Sequence, residues 1–141
     1  MEDRADDVVD ILAGFALFSD LSTPELENIV HTFDEQQFNA NVRVIRQGLT
    51  GSGFYVILDG TAAIRVDGKD RAMLRPGDYF GEISCLLGEP PVSDIVAQRP
   101  LRCLMLPCER LEAFLVAHPR VLFRLMQGEA RKVRNTTRWL S

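Results

Sequence analysis

Glu82 stands directly after an aromatic and a glycine, Phe80-Gly81, and directly before a short apolar run, Ile83-Ser84-Cys85-Leu86-Leu87. A carboxylate in that place accepts hydrogen bonds from hydroxyl groups, and Gly81 lets another group come close to the backbone. The run after it is long enough for barely two helical turns. The first N–H groups of a helix have no partner within it, and the aligned peptide dipoles favour an anion there. A break at Gly88-Glu89-Pro90-Pro91 follows, then an alternating segment to Ala97 that reads as a strand. On a strand Pro91 and Ser93 face one side and Asp94 the other. Ser93 is then either a hydroxyl donor to a phosphate or a small residue fitting a barrel wall. A hydroxyl acceptor beside anion-favouring amides suits a small ligand that carries both a sugar and a phosphate.

The stretch from Phe80 to Ala97 resembles the phosphate-binding cassette of the cyclic nucleotide-binding domain family, with Phe80, Gly81, Glu82, Ile83, Ser84, Leu86, Gly88, Pro90 and Ile95 in register. The resemblance implies that Glu82 holds a ribose 2′-hydroxyl and that the amides of Ile83 and Ser84 face a cyclic phosphate. The candidate binding set is Gly81, Glu82, Ile83, Ser84, Val92 and Ser93. The candidate ligand is cyclic AMP, with cyclic GMP second, and no cofactor or metal is expected. Two residues depart from the family pattern. Pro91 occupies the place of the arginine that pairs with the phosphate, and Asp94 that of a threonine or serine. No Lys or Arg lies between Arg75 and Arg99. Truncating one partner of a buried charge pair typically costs about 2–5 kcal/mol, roughly 30-fold to several thousand-fold in affinity. Arg46, Arg75 and Arg99 are the nearest cations in sequence, and each reads as a solvated loop residue. Two expectations follow: a regulatory module that signals through its C-terminal helices, or a degenerate domain that keeps the fold without nucleotide and acts through protein contacts.

The elements that must position these residues are legible as periodicities. Apolar residues from Val8 to Leu17 give a short helix ending near Gly14. Ser22-Thr23-Pro24-Glu25 has capping-box spacing ahead of a helix with Leu26, Ile29, Val30 and Phe33 on one face. From Phe38 the pattern turns to strand type. Val42 to Ile45, Phe54 to Leu58, Thr61 to Val66 and Arg71 to Leu74 alternate or run β-branched, separated by a Gly/Ser/Thr turn at 50–53 and by the hairpin signals Asp59-Gly60 and Asp67-Gly68. Asn41 stands where the family commonly has a glycine. Leu101 to Leu106 is a further strand ended by Pro107. A helix over 109–117 stops at His118-Pro119, and a longer one begins at Arg120 with Leu122, Leu125, Met126 and Val133 on one side. Gly128 weakens that last helix by about 1 kcal/mol relative to Ala.

The expected architecture is mainly β with flanking helices, an antiparallel β-roll or jelly roll. It forms one domain over 1–141: N-terminal helices at 1–37, the roll at 38–107 with its cassette at 80–97, and C-terminal hinge and lid helices at 108–141. Trp139, at the end of the last helix, is placed to stack on a purine or to anchor that helix against the roll or a second subunit. Thr136 and Thr137 are candidate contacts to a base edge.

Composition narrows the classes. A chain of 141 residues with 46% hydrophobic content supports one core. Its net charge of −4 gives no general attraction to nucleic acid or anionic lipid. Residues 1–40 hold ten acids against Arg4 alone, whereas residues 120–141 hold six Lys and Arg against Glu129. The basic end reads as a solvated helix rather than a nucleic-acid patch. The expected partners are a cyclic nucleotide, a second copy of the chain along the last helix, and an unidentified effector protein. No run approaches the roughly 18 apolar residues of a membrane span, and the acidic start does not read as a signal peptide. Cys85, Cys103 and Cys108 lack metal-type spacing and are expected as reduced thiols in a cytoplasmic protein. His31 and His118 lie outside the strands, and no serine has a base at recognisable spacing, so no catalysis is expected.

Overall fold

In a computed structural model, residues 4–49 and 53–140 are described, apart from the side chains of residues 4–6, 139 and 140. The turn at 50–52 and the indole of Trp139 therefore lie outside the described residues. Helix α1 (Arg4–Ala13), a 3-10 turn (Ala16–Phe18) and helix α2 (Thr23–Thr32) lead into strand β1 (Asp34–Phe38). The roll continues through β2 (Arg43–Ile45), β3 (Gly53–Asp59), β4 (Ala62–Val66), β5 (Lys69–Leu74) and β6 (Tyr79–Phe80). Helix α3 (Glu82–Leu87), β7 (Asp94–Ala97) and β8 (Leu101–Pro107) complete it, and α4 (Cys108–Ala117) and α5 (Pro119–Leu140) follow. The strands form two antiparallel four-stranded sheets, ordered β1-β8-β3-β6 and β2-β7-β4-β5.

Local chemistry accounts for the boundaries. Ser22 and Glu25 make the reciprocal capping box at the start of α2. Asp67 and Gly68 both take positive φ in the β4–β5 turn, as a tight hairpin turn requires, and Asn41 takes φ 72°. Strand β3 is buried on both faces because it separates two cores. Phe54, Val56 and Leu58 pack with α1, α2, α4 and α5, while Tyr55 and Ile57 fill the roll interior. Phe33 meets Phe54 and Phe114 edge-on at 6.3 and 5.0 Å and ties α2 and α4 to that strand.

Four sequence expectations change. Asp59-Gly60, expected as a hairpin turn, instead carries the chain from one sheet to the other, since β3 and β4 do not pair. The first strand begins at Asp34 rather than near Phe38, because Asp-Glu-Gln-Gln-Phe pairs along β8 with little apolar alternation to announce it. On α5 the buried positions are Val121 and Leu125, four residues apart. Met126 and Val133, expected on the packed side, are exposed, as is Phe123. The expectation of three reduced thiols is also corrected: Cys85 and Cys108 are joined as a disulfide with Cα atoms 4.8 Å apart, leaving Cys103 free and buried. The fold, rather than sequence spacing, brings α3 and the start of α4 together.

Candidate functional site

Strand β6 delivers the chain to the site. Phe80 stacks on Tyr55 with ring centroids 4.8 Å apart, which fixes where the strand ends. Gly81 then turns the backbone at φ 87°, and a Cβ there would overlap the carbonyl oxygen of Gly53. Only glycine fits that corner. The turn points Glu82, the first residue of α3, inward. At 3% exposure Glu82 is the one buried charged residue among the described residues.

A buried carboxylate requires a partner. That partner is Lys132, 50 residues further on, which donates from Nζ to the Glu82 carboxylate. Lys132 Nζ also donates to Glu129 Oε1 at 3.3 Å and lies 5.0 Å from the centroid of the Tyr79 ring. Helix α5 can come this near because Gly128 has no side chain: a Cβ there would overlap the Tyr79 hydroxyl. That hydroxyl donates to the carbonyl of Leu125 at 3.4 Å. Gly128, which sequence alone marks as a weak point in a helix, is where α5 rests on the roll.

Protonation follows the packing. Burial first, and then the Glu82 carboxylate, push Glu129 up to about 7. Burial acts to lower Lys132, but Glu82 and then Glu129 outweigh it, so its ammonium is held more firmly than usual. Burial, followed by the charges of Glu129 and Glu82, raises the Tyr79 phenol.

Beside this cluster lies a cavity of about 230 Å³. Ile45, Ile64, Val66, Leu74, Phe80 and Ile95 form most of its wall. Gly81, Glu82, Ile83, Ser84, Val92 and Ser93 all border it, together with Tyr79, Pro91 and Lys132. Ser84 Oγ donates to the carbonyl of Glu89 at 2.5 Å and so closes the end of α3. Val92 is a rim residue, 67% exposed.

The match to known proteins agrees with this geometry. The model of the cyclic nucleotide-binding domain fits residues 35–118. The chain belongs to the cyclic nucleotide-binding domain family. It is 30% identical over 119 residues to a cGMP-dependent protein kinase of Toxoplasma gondii, covering 84% of this chain and 12% of the kinase. It thus spans only a small part of that relative. The catabolite activator protein of Thermus thermophilus superposes with a TM-score of 0.80 at 27% identity, over 89% of this chain and 61% of that one. A regulatory subunit of a cAMP-independent protein kinase A from Trypanosoma brucei superposes with a TM-score of 0.78 at 22% identity, over 90% of this chain and 46% of that one.

In this cyclic nucleotide-binding domain Pro91, at the position where the resemblance puts a phosphate-pairing arginine, is buried and its carbonyl accepts from Gly48 N at 2.8 Å. Asp94 turns away from the cavity. Its carboxylate accepts from Gln47 N at 2.7 Å and lies 3.7 Å from Arg43 Nε. Arg46, Arg75 and Arg99 are exposed, and none of them borders the cavity. Thr136 and Thr137 donate to the carbonyls of Lys132 and Val133, one turn back on their own helix. His118 stacks on Phe114, away from the cavity. Among the described residues no cluster of His, Cys, Asp and Glu suits a metal, and no helix is long and apolar enough to cross a membrane. Sequence reasoning missed Lys132. The available signal was Gly128 one turn earlier, since a glycine inside a helix often marks a close approach.

Proposed function

We propose that this domain is a ligand-sensing regulatory module in which a ribose-bearing ligand competes with Lys132 for Glu82 and its occupancy is read out by movement of α5. The observation that carries this reading is the Glu82–Lys132 ion pair: the carboxylate that family resemblance assigns to the ribose is held by the C-terminal helix. A ligand shifts a conformational equilibrium only by binding its two states unequally. A hydroxyl that shares or takes the Glu82 oxygens weakens the hold of Lys132, so closed and released positions of α5 differ in ligand affinity. Cyclic AMP is the first candidate of the cyclic nucleotide type and cyclic GMP the second.

Calorimetric titration with adenine and guanine ribonucleosides and their cyclic phosphates, followed by amide exchange on the complex, tests the reading. Binding should come with faster exchange in α5 and unchanged exchange in β3 and β8. Absence of heat and of any thermal shift with every one of these compounds at millimolar concentration would discard it.

A second reading rests on a separate observation. Phe123, Met126, Ala130 and Val133 recur at intervals of three and four along α5 and are all exposed. That spacing is the seam of a helix pair, so a second copy of the chain, packed along α5, is the occupant we propose. Protein contact through α5 is then the activity of a domain with an idle pocket.

A further inference from the structure

We infer that the ligand selected by this cavity is an uncharged nucleoside rather than a phosphate ester. This inference rests on the ribose-sensing reading above and specifies its ligand class.

The charges at the cavity are already balanced. Glu82 is the carboxylate on its wall and Lys132 the one cation, and they are paired with each other. Glu129 draws on the same ammonium at 3.3 Å. A phosphodiester would bring an uncompensated negative charge against a mostly apolar wall whose carboxylate and cation are already paired. Like charges in a water-poor site repel far more strongly than in bulk solvent. Releasing Lys132 to meet the phosphate would strand Glu82, which is too buried to be solvated.

Among the described residues no other cation borders the cavity. Arg43 lies beside Asp94, which is directed away from the cavity. Pro91 supplies neither charge nor N–H, and its carbonyl is occupied by Gly48.

A neutral sugar meets none of these penalties. An ionised carboxylate has acceptor sites for about four hydrogen bonds, so Glu82 can accept from vicinal hydroxyls while giving up only part of its bonding to Lys132. Most of the remaining wall is hydrocarbon and suits the faces of a planar base. At about 230 Å³ the cavity is also smaller than the roughly 300–1,000 Å³ usual for ligand pockets, which favours the smaller of two related ligands.

The test is calorimetry on the full chain with adenosine, guanosine, their 2′-deoxy forms and their 3′,5′-cyclic phosphates. At least one nucleoside should bind about tenfold or more tighter than its own cyclic phosphate and lose most of that affinity without its 2′-hydroxyl. Pro91→Arg should raise the affinity for the cyclic phosphate, relative to that for its nucleoside, about 30-fold or more. Because Pro91 is buried, Val92→Lys provides the same cation from an exposed rim position and should shift the ranking in the same direction. A cyclic phosphate binding as tightly as its nucleoside, or tighter, overturns this inference and leaves the sensor reading standing. Failure of every compound to bind overturns both.

Discussion

Lys132 serves two carboxylates at once, and the consequence of removing it is specific. Lys132→Met keeps the methylene stem over Tyr79 and deletes the charge, leaving Glu82 buried with no counter-ion. Loss of a hydrogen bond to a charged buried group costs about 1.5–3 kcal/mol, tempered here by the solvent exposure of the lysine. Thermal denaturation of Lys132→Met should show that loss, and adding Glu82→Gln should recover most of it, since the charge left unpaired is then gone. A double variant no more stable than Lys132→Met alone would mean that the ion pair does not hold α5. The residues around this pair were unequally legible. Glu82 could be found from its neighbours Phe80, Gly81 and Ile83, because the corner that buries it is written in adjacent positions. Lys132 could not, because its partner is 50 residues away and nothing in an exposed basic helix distinguishes one lysine from the surrounding arginines.

Among the elements, α5 was readable as a helix but not as a closure. Its buried face near Val121 and Leu125 belongs to the core, whereas beyond it the helix touches the roll at Gly128 and Lys132. Gly128→Ala separates these roles. Alanine favours the isolated helix by about 1 kcal/mol, yet its Cβ would collide with the Tyr79 hydroxyl. Amide exchange should quicken across residues 128–138 while β3 and β8 keep their protection, and Tyr79→Phe in the same chain should reverse the effect by removing the hydroxyl. An α5 equally protected in Gly128→Ala would show that the roll yields instead. The β4–β5 hairpin, by contrast, was plain in the sequence, since Asp67-Gly68 carries its backbone requirement in the residue types themselves, whereas Asp59-Gly60, which looks the same, passes the chain from one sheet to the other. Strand β1 escaped notice because its pairing is held by polar groups: Arg102 on β8 donates from Nε and Nη2 to Glu35 at 2.9 and 3.1 Å. An alternation of buried apolar residues finds core strands and passes over one of this kind.

Across the whole molecule, the separation of acidic start from basic end is closed by folding. Asp20, in the loop before α2, accepts two bonds from Arg124 at 2.8 and 3.0 Å and one from Arg120 at 3.1 Å. Arg124 first, and then Arg120, hold the Asp20 carboxyl down at about 2. The early residues of α5 are therefore anchored to the N-terminal segment, while its later residues meet the cavity. The covalent link between Cys85 and Cys108 adds a second constraint, closing a loop of sequence separation 23. A cross-link of that span restricts the unfolded chain by about 3 kcal/mol, so dithiothreitol should lower the melting temperature by several degrees, and Cys108→Ser should melt alike with or without it. Equal melting of the native chain in both conditions would remove the bridge from the account. Its mechanical meaning is more than stability. Stapling α3 to the first residue of α4 ties that helix to the part of the cavity wall that Glu82, Ile83 and Ser84 supply. On the proposed sensor reading, travel provoked by a bound guest then falls to the part of α5 beyond Leu125, past the anchors that Asp20 and the core give its first turns.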